Sequence, residues 1–228
     1  MRRGSNVQEL KILYEDEAIL VVCKQAGLAV ETKKIAEEDL ESLLKKHLAK
    51  DGDRNGKKQP PYLAPINRLD QPVRGLVLFA RTKEVAGKLS KDLTDGKITK
   101  IYRASVFGSF DEPEGTLKDT LVKDGKTNTS RVVKTGDSGY REGKEAILHY
   151  KEISPGEEEI RLLTGRHHQI RVQLANAGHP ILGDNKYGNA RSREESEKRG
   201  ITQIALTAQK LIFDHPVSGK RMEFEYEE

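Results

Sequence analysis

An acid and two arginines crowd the segment Asn67-Arg68-Leu69-Asp70-Gln71-Pro72-Val73-Arg74-Gly75, directly ahead of the apolar run Leu76-Val77-Leu78-Phe79-Ala80. A carboxylate on an irregular segment anchored by a rigid strand is well placed for nucleophilic or acid–base chemistry. A lone Asp in a loop is nonetheless more often a solvated surface charge. A second segment, Leu163-Thr164-Gly165-Arg166-His167-His168-Gln169-Ile170-Arg171, runs from a strand through a glycine into a helix start crowded with polar donors. Such a terminus attracts anions through its free backbone N–H groups, and an arginine there can hold a carboxylate ionised. It reads equally as a well-capped amphipathic helix with an exposed basic face. A third segment, Lys100-Ile101-Tyr102-Arg103-Ala104, alternates as a strand, with Lys100, Tyr102 and Ala104 on one face. A tyrosine facing a cleft can stack on a base, whereas one facing inward is core with a satisfied hydroxyl.

Histidines 167, 168 and 179 with Asp184 invite a metal reading. Adjacent histidines on a helix point in different directions, unlike an i, i+4 pair, so no metal site is expected.

These segments need a scaffold, and the pattern supplies one. The runs Lys11 to Tyr14 and Ala18 to Cys23, around the acidic turn Glu15-Asp16-Glu17, signal a hairpin. Leu40, Leu43, Leu44 and Leu48 fall at helical spacing. Residues Asp51 to Pro65 read as an exposed loop. Thr82 caps a helix carrying Val85, Leu89 and Leu93, closed by Gly96. Further strands are expected at Ile101 to Phe107, Val132 to Lys134, Ala146 to Ile153 and Ile160 to Leu163, with a helix over His168 to Ala177. The charged stretch Asn189 to Gly200 has almost nothing to bury and reads as a mobile surface insert. A last hairpin pairs Ala205 to Phe213 with Met222 to Tyr226. Strands outnumber helices and are joined mostly by turns. The expectation is an α+β fold, with a mixed, largely antiparallel sheet and flanking helices, as one domain over residues 8–228.

Composition narrows the classes. The 228 residues are 35% hydrophobic and 33% charged, with 40 Lys and Arg against 36 Asp and Glu, a formal net charge of +4. That balance permits a polyanionic partner. One cysteine, Cys23, excludes an intramolecular disulfide framework and fits a cytoplasmic protein. No apolar run approaches the ~20 residues of a membrane span, and no secretory leader is visible at the N-terminus.

In this order, the segments resemble the RluA-type family of RNA pseudouridine synthases. The match extends from Ile12-Leu13-Tyr14-Glu15-Asp16-Glu17 through the three segments above and Gly178-His179-Pro180-Ile181-Leu182-Gly183-Asp184 to His215-Pro216-Val217-Ser218-Gly219. The resemblance implies a central RNA-binding cleft and conversion of uridines in ribosomal or transfer RNA to pseudouridine without a cofactor. Asp70 matches the family's catalytic aspartate, Tyr102 the tyrosine that packs on the target base, and Arg166 the arginine that pairs with the aspartate. Arg68 matches an arginine near the flipped nucleotide. Arg68, Arg74, Lys100, His168, Gln169 and Arg171 are the expected RNA or substrate contacts, with Lys57, Lys58 and Lys97 adding salt-sensitive affinity. No room is expected for the family's frequent N-terminal S4 domain. The chain departs from the pattern at Asn67, where His is usual, at Val73-Arg74 for Thr-Ser, at His167 for Thr, and at Cys23-Lys24-Gln25 for Asn-Lys-Pro.

The chemistry agrees with the residue types. Pseudouridine formation breaks the N1–C1′ bond, turns the uracil and rejoins it through C5, so it is redox-neutral and one carboxylate suffices. A glycoside hydrolase would need a second carboxyl group, and none accompanies these motifs except Asp184, which reads as structural in its Gly-Asp turn. Three readings follow: an RNA uridine isomerase acting as a monomer, a non-catalytic RNA-binding protein that keeps the fold, and a metal-assisted hydrolase.

Overall fold

Residues Lys11–Glu15 (β1) and Ile19–Lys24 (β2) form the expected antiparallel hairpin. Asp16 sets its turn, its Oδ1 accepting from the backbone N–H groups of Ala18 and Ile19 at 2.8 Å each. The computed structural model describes residues 10–32, 37–54 and 61–226, and contact density divides the chain into two units.

The first unit comprises residues up to Asp95 together with His215–Lys220. Helix α1 spans Leu40–Arg54, with Leu40, Leu44 and Leu48 buried. Ala64–Pro65 (β3) and Arg74–Ala80 (β4) follow, then helix α2 over Lys83–Thr94. Strand β4 pairs antiparallel with β2 and briefly with β3. Both β2 and β4 are near-continuous apolar runs because both of their faces are covered. Thr82 caps α2, its Oγ1 accepting from Val85 N at 3.2 Å, while Val85 and Leu89 are buried. His215 pins its segment to this unit through Nε2 and Asp16 Oδ2, 2.9 Å apart. The first and last motifs of the family pattern thus meet. The expected loop from Asp51 is corrected in part. Helix α1 continues through Arg54, and Ala64–Pro65 is paired strand, while Lys57 and Lys58 lie outside the described residues.

The second unit comprises Gly96–Asp214 and residues from Arg221. Its strands are Thr99–Ser105 (β5), Glu114–Asp124 (β6), Thr129–Val133 (β7), Lys144–Ser154 (β8), Glu157–Leu162 (β9), Leu206–Asp214 (β10) and Arg221–Glu225 (β11). They pair antiparallel in the order β11-β10-β5-β9-β8-β6-β7. Helix α3, Gln169–Asn176, sets Val172 against Leu121 of β6 and Ala146 of β8. The α+β class with a largely antiparallel sheet stands.

Residues 189–200 correct another expectation. Ala190–Lys198 is a helix, α4, opened by a capping box between Asn189 and Ser192. It buries two serines, and Ser196 Oγ accepts from Gly183 N at 2.9 Å. Its anchor is polar, so a hydrophobic pattern does not reveal it.

Glu158 is the one inward residue of β9 that is not apolar. It is 0% exposed, opposite Ala104 on β5 and Glu152 on β8, and neither carboxyl oxygen has a hydrogen-bond partner among the described residues. Burial, then the charges of Glu152 and Glu157, raises its pKa from 4.5 to about 7. A carboxyl with a raised folded pKa lends stability that is complete below its unfolded value and is lost as pH rises through about 7. Glu158→Gln is therefore expected to melt on the order of 5 °C above wild type at pH 8.5 and level with it at pH 4.5. Thermal melts at the two pH values check this, and an offset independent of pH would contradict it.

Candidate active site

Asp70 opens a tight turn in the first unit, with Val73 N donating to Asp70 O at 2.9 Å. Three anchors hold that turn. The Asn67 amide copies a strand partner for β4: its Nδ2 donates to Leu76 O at 3.0 Å and its Oδ1 accepts from Leu78 N at 2.8 Å. Gly27 N donates to Gln71 O at 2.9 Å, and Gln71 Nε2 donates back to Gly27 O at 3.0 Å. The third anchor is Lys24, 0% exposed at the end of β2. Its ammonium donates to the carbonyls of Gln25, Leu28 and Gln71 at 3.0, 2.7 and 3.0 Å. Burial brings its pKa down to about 8, against the opposing pull of the Asp70 carboxylate. Gly75, at φ +123°, lets the chain leave the turn in a conformation that few other residues adopt. Asp70 itself is half-buried, Arg68 is exposed and pairs with Glu31 at 2.7 Å, and Arg74 is half-buried as the first residue of β4.

In the second unit, Gly165 and Arg166 lie on an exposed bend that leads into α3. The bend rests on Gln169, whose Oε1 accepts from Arg166 N at 3.0 Å and from Thr164 Oγ1 at 2.7 Å. Gln169 Nε2 donates to Ile147 O and to Gln173 Oε1. Arg166 Nε donates to Glu145 O at 2.8 Å, which fixes the base of an otherwise exposed guanidinium. His168 takes a left-handed φ of 54° at the helix start, stacks on His167 and bonds Tyr187 Oη through Nδ1 at 2.7 Å. Only a locally over-determined segment keeps a non-glycine residue there. Tyr102 on β5 is 5% exposed. Lys100 on the same strand is buried beside Gly165, where a side chain would come within 3.8 Å of its Nζ, and burial lowers its pKa.

Four of the expected RNA contacts, Lys100, His168, Gln169 and Arg171, are buried. Arg171 is buried in a bidentate pair with Asp184, Nε and Nη2 each 2.7 Å from a carboxylate oxygen. Its fork is committed to an internal carboxylate. Gln169 spends its amide on the bend, His168 is buried against Tyr187, and Lys100 lies below the surface rather than on it. Of the four, Gln169 bonds directly to the loop that carries Arg166. Lys97 remains exposed. Among the described residues, no three His, Cys, Asp or Glu side chains stand together as a metal site.

Lys24 was missed by sequence reasoning, although a lysine closing a wholly apolar strand is a legible sign of an internal donor. Asn67 was noted only as a departure. The clamp it forms follows from its tertiary neighbours.

Comparison with known proteins adds to this geometry. Residues 18–176 match the family model described as RNA pseudouridylate synthase. The chain is similar to ribosomal large subunit pseudouridine synthase D of Zymomonas mobilis, at 32% identity over 96% of this chain and 69% of that protein. Ribosomal large subunit pseudouridine synthase C of Pasteurella multocida is 28% identical over 94% of this chain and 63% of its own length. In fold it resembles Human RNA Pseudouridylate Synthase Domain Containing 1, with a TM-score of 0.74 at 22% identity, covering 100% of this chain and 86% of that one.

Proposed function

The chain belongs to the RNA pseudouridylate synthase family, and from that membership we propose that it isomerises uridine to pseudouridine in ribosomal RNA, with Asp70 as the reacting carboxylate. The observation that carries the choice of RNA is the 32% identity, over 96% of this chain, to a relative named for the ribosomal large subunit. What supports Asp70 is its placement on a turn held by the buried Lys24, the Asn67 clamp and the Gln71–Gly27 exchange. A turn fixed by internal hydrogen bonds holds a carboxylate in place without help from substrate, which lowers the reorganisation needed at the moment of reaction.

The reaction balances internally. The N1–C1′ bond breaks, uracil rotates, C5 bonds to C1′, the C5 proton leaves and N1 takes up a proton. Asp70 serves by adding to the sugar or base or by assisting proton removal at C2′. By the family resemblance, Tyr102 corresponds to the family's base-packing tyrosine and Arg166 to its site arginine. Arg68 and Arg74 flank Asp70 as contacts to the extruded nucleotide and its phosphates. Exclusion of water matters because water would capture the detached sugar.

Mapping pseudouridines by carbodiimide-adduct primer extension, in cells with and without the gene, tests the substrate. The expected result is the loss of one or a few signals from ribosomal RNA. Loss confined to transfer RNA would overturn the choice of ribosomal RNA, and an unchanged map would overturn the activity on cellular RNA.

A further inference from the structure

Beside Arg166 the second unit carries a groove that the family reading does not use. Glu145, whose carbonyl accepts from Arg166 Nε, lines a cavity of about 470 Å³ together with Lys118, Thr120, Val133, Lys134 and Tyr140. That volume falls in the ~300–1,000 Å³ range of small-ligand pockets. The wall bearing Tyr140 is a turn laid against β6 and β7. Lys134 N donates to Asp137 Oδ2 at 2.7 Å, Tyr140 N to Asp137 O at 3.2 Å, and Arg131 Nη2 to Ser138 O at 2.6 Å. Gly139, at φ +85°, turns the chain into the short helix Tyr140–Glu142, and at Gly143 any side chain would collide with Thr120. The turn is thus built and seated by its own bonds, yet it leaves Tyr140 38% exposed. Exposed aromatic rings are the usual platform for an unpaired base.

The acids of the groove are already engaged. Asp119 Oδ2 accepts from Gln173 Nε2 at 2.8 Å, and Glu145 pairs with Lys118 at 2.9 Å. Lys134 is exposed at the rim, exposed Arg141 follows in the same turn, and exposed Lys144 opens β8. An entering phosphate meets cations there, and a base meets a ring.

We propose that this groove holds an unpaired nucleotide of the RNA strand next to the one that Arg166 engages, its base stacked on Tyr140 and its phosphate held by Lys118 and Lys134. The site would select substrates with a flexible, single-stranded neighbour to the target. The inference rests on the reading of the chain as an enzyme acting on ribosomal RNA.

The test uses unmodified ribosomal RNA transcripts and the full chain. Tyr140→Ala should raise KM for pseudouridine formation about tenfold with the loss falling on KM rather than kcat, and Tyr140→Phe should restore the wild-type value. Lys134→Ala should lower the slope of log affinity against log salt by about one. The same substitutions introduced into Asp70→Asn protein and read by filter binding report RNA affinity without turnover. If wild type turns nothing over but Tyr140→Ala still weakens binding, the enzymatic reading fails while the groove survives. Tyr140→Ala with wild-type KM and wild-type binding overturns the groove.

Discussion

Asp70→Asn protein is expected to form pseudouridine at least ~10⁴-fold more slowly than wild type, while melting within a few degrees of it and binding the same RNA with similar affinity. The magnitude is that of removing a group that makes or breaks bonds rather than one that merely binds. The selectivity follows from how the turn is built. Its anchors are the Lys24 ammonium, the Asn67 amide and the Gln71–Gly27 exchange, all of which an isosteric asparagine at position 70 leaves in place. What changes is charge: Lys24 loses the carboxylate that favours its ionised form, so its already lowered pKa falls further. Single-turnover assays beside thermal melts and filter binding check the three parts together. A variant that keeps turnover would remove Asp70 from the chemistry, and one that unfolds would make it structural.

Arg171→Met carries the largest expected loss of stability. Arg171 and Asp184 face each other almost fully buried, 5% and 0% exposed, with both nitrogens of the fork used. Burial alone would raise the pKa of Asp184, but the hydrogen bonds and charge of Arg171, with the N–H groups of Lys186 and Tyr187, bring it below its usual value. Removing the guanidinium strands a buried carboxylate, which costs about 3–5 kcal/mol. In a chain of this size that is a fall in melting temperature on the order of 10 °C. The sign of the pH dependence reverses with it. In wild type, the contribution of Asp184 is present above the unfolded carboxylate pKa and lost as pH falls through the depressed folded one. In the variant, burial dominates and raises the pKa, so the deficit against wild type should be larger at pH 8 than at pH 5. Arg171→Met combined with Asp184→Asn should recover part of the loss. Melts of the three proteins at the two pH values check it, and a deficit that does not vary with pH would mean that the pair is not electrostatically coupled as described.

How much was legible in the sequence depended on what each residue does. Thr82 and its helix could be read because capping and apolar spacing are local, and the hairpin around Asp16 because alternation and an acidic turn are local too. Strand β6 was missed because Gly115 and Asp119 interrupt its inward set of Leu117 and Leu121, and α4 because serines make its buried contacts. The segments around Asp70, Tyr102 and Arg166 stood out through residue type and order. Their supports did not. Nothing in Arg171 or Gln169 distinguishes a buried strut from a phosphate contact until the partner is known, and those partners, Asp184 and Ile147, are distant in the chain. Lys24 is the instructive case, because its charge suggests surface while its three carbonyl partners place it in the interior.

The most direct test is tritium release from ribosomal RNA transcripts labelled at C5 of uridine, incubated with the purified chain. Formation of the C5–C1′ bond expels the C5 hydrogen, so wild type is expected to release a fixed, stoichiometric amount per transcript and Asp70→Asn almost none. Absence of release by wild type, or equal release by both proteins, would contradict the assignment of Asp70 as the group that drives the isomerisation.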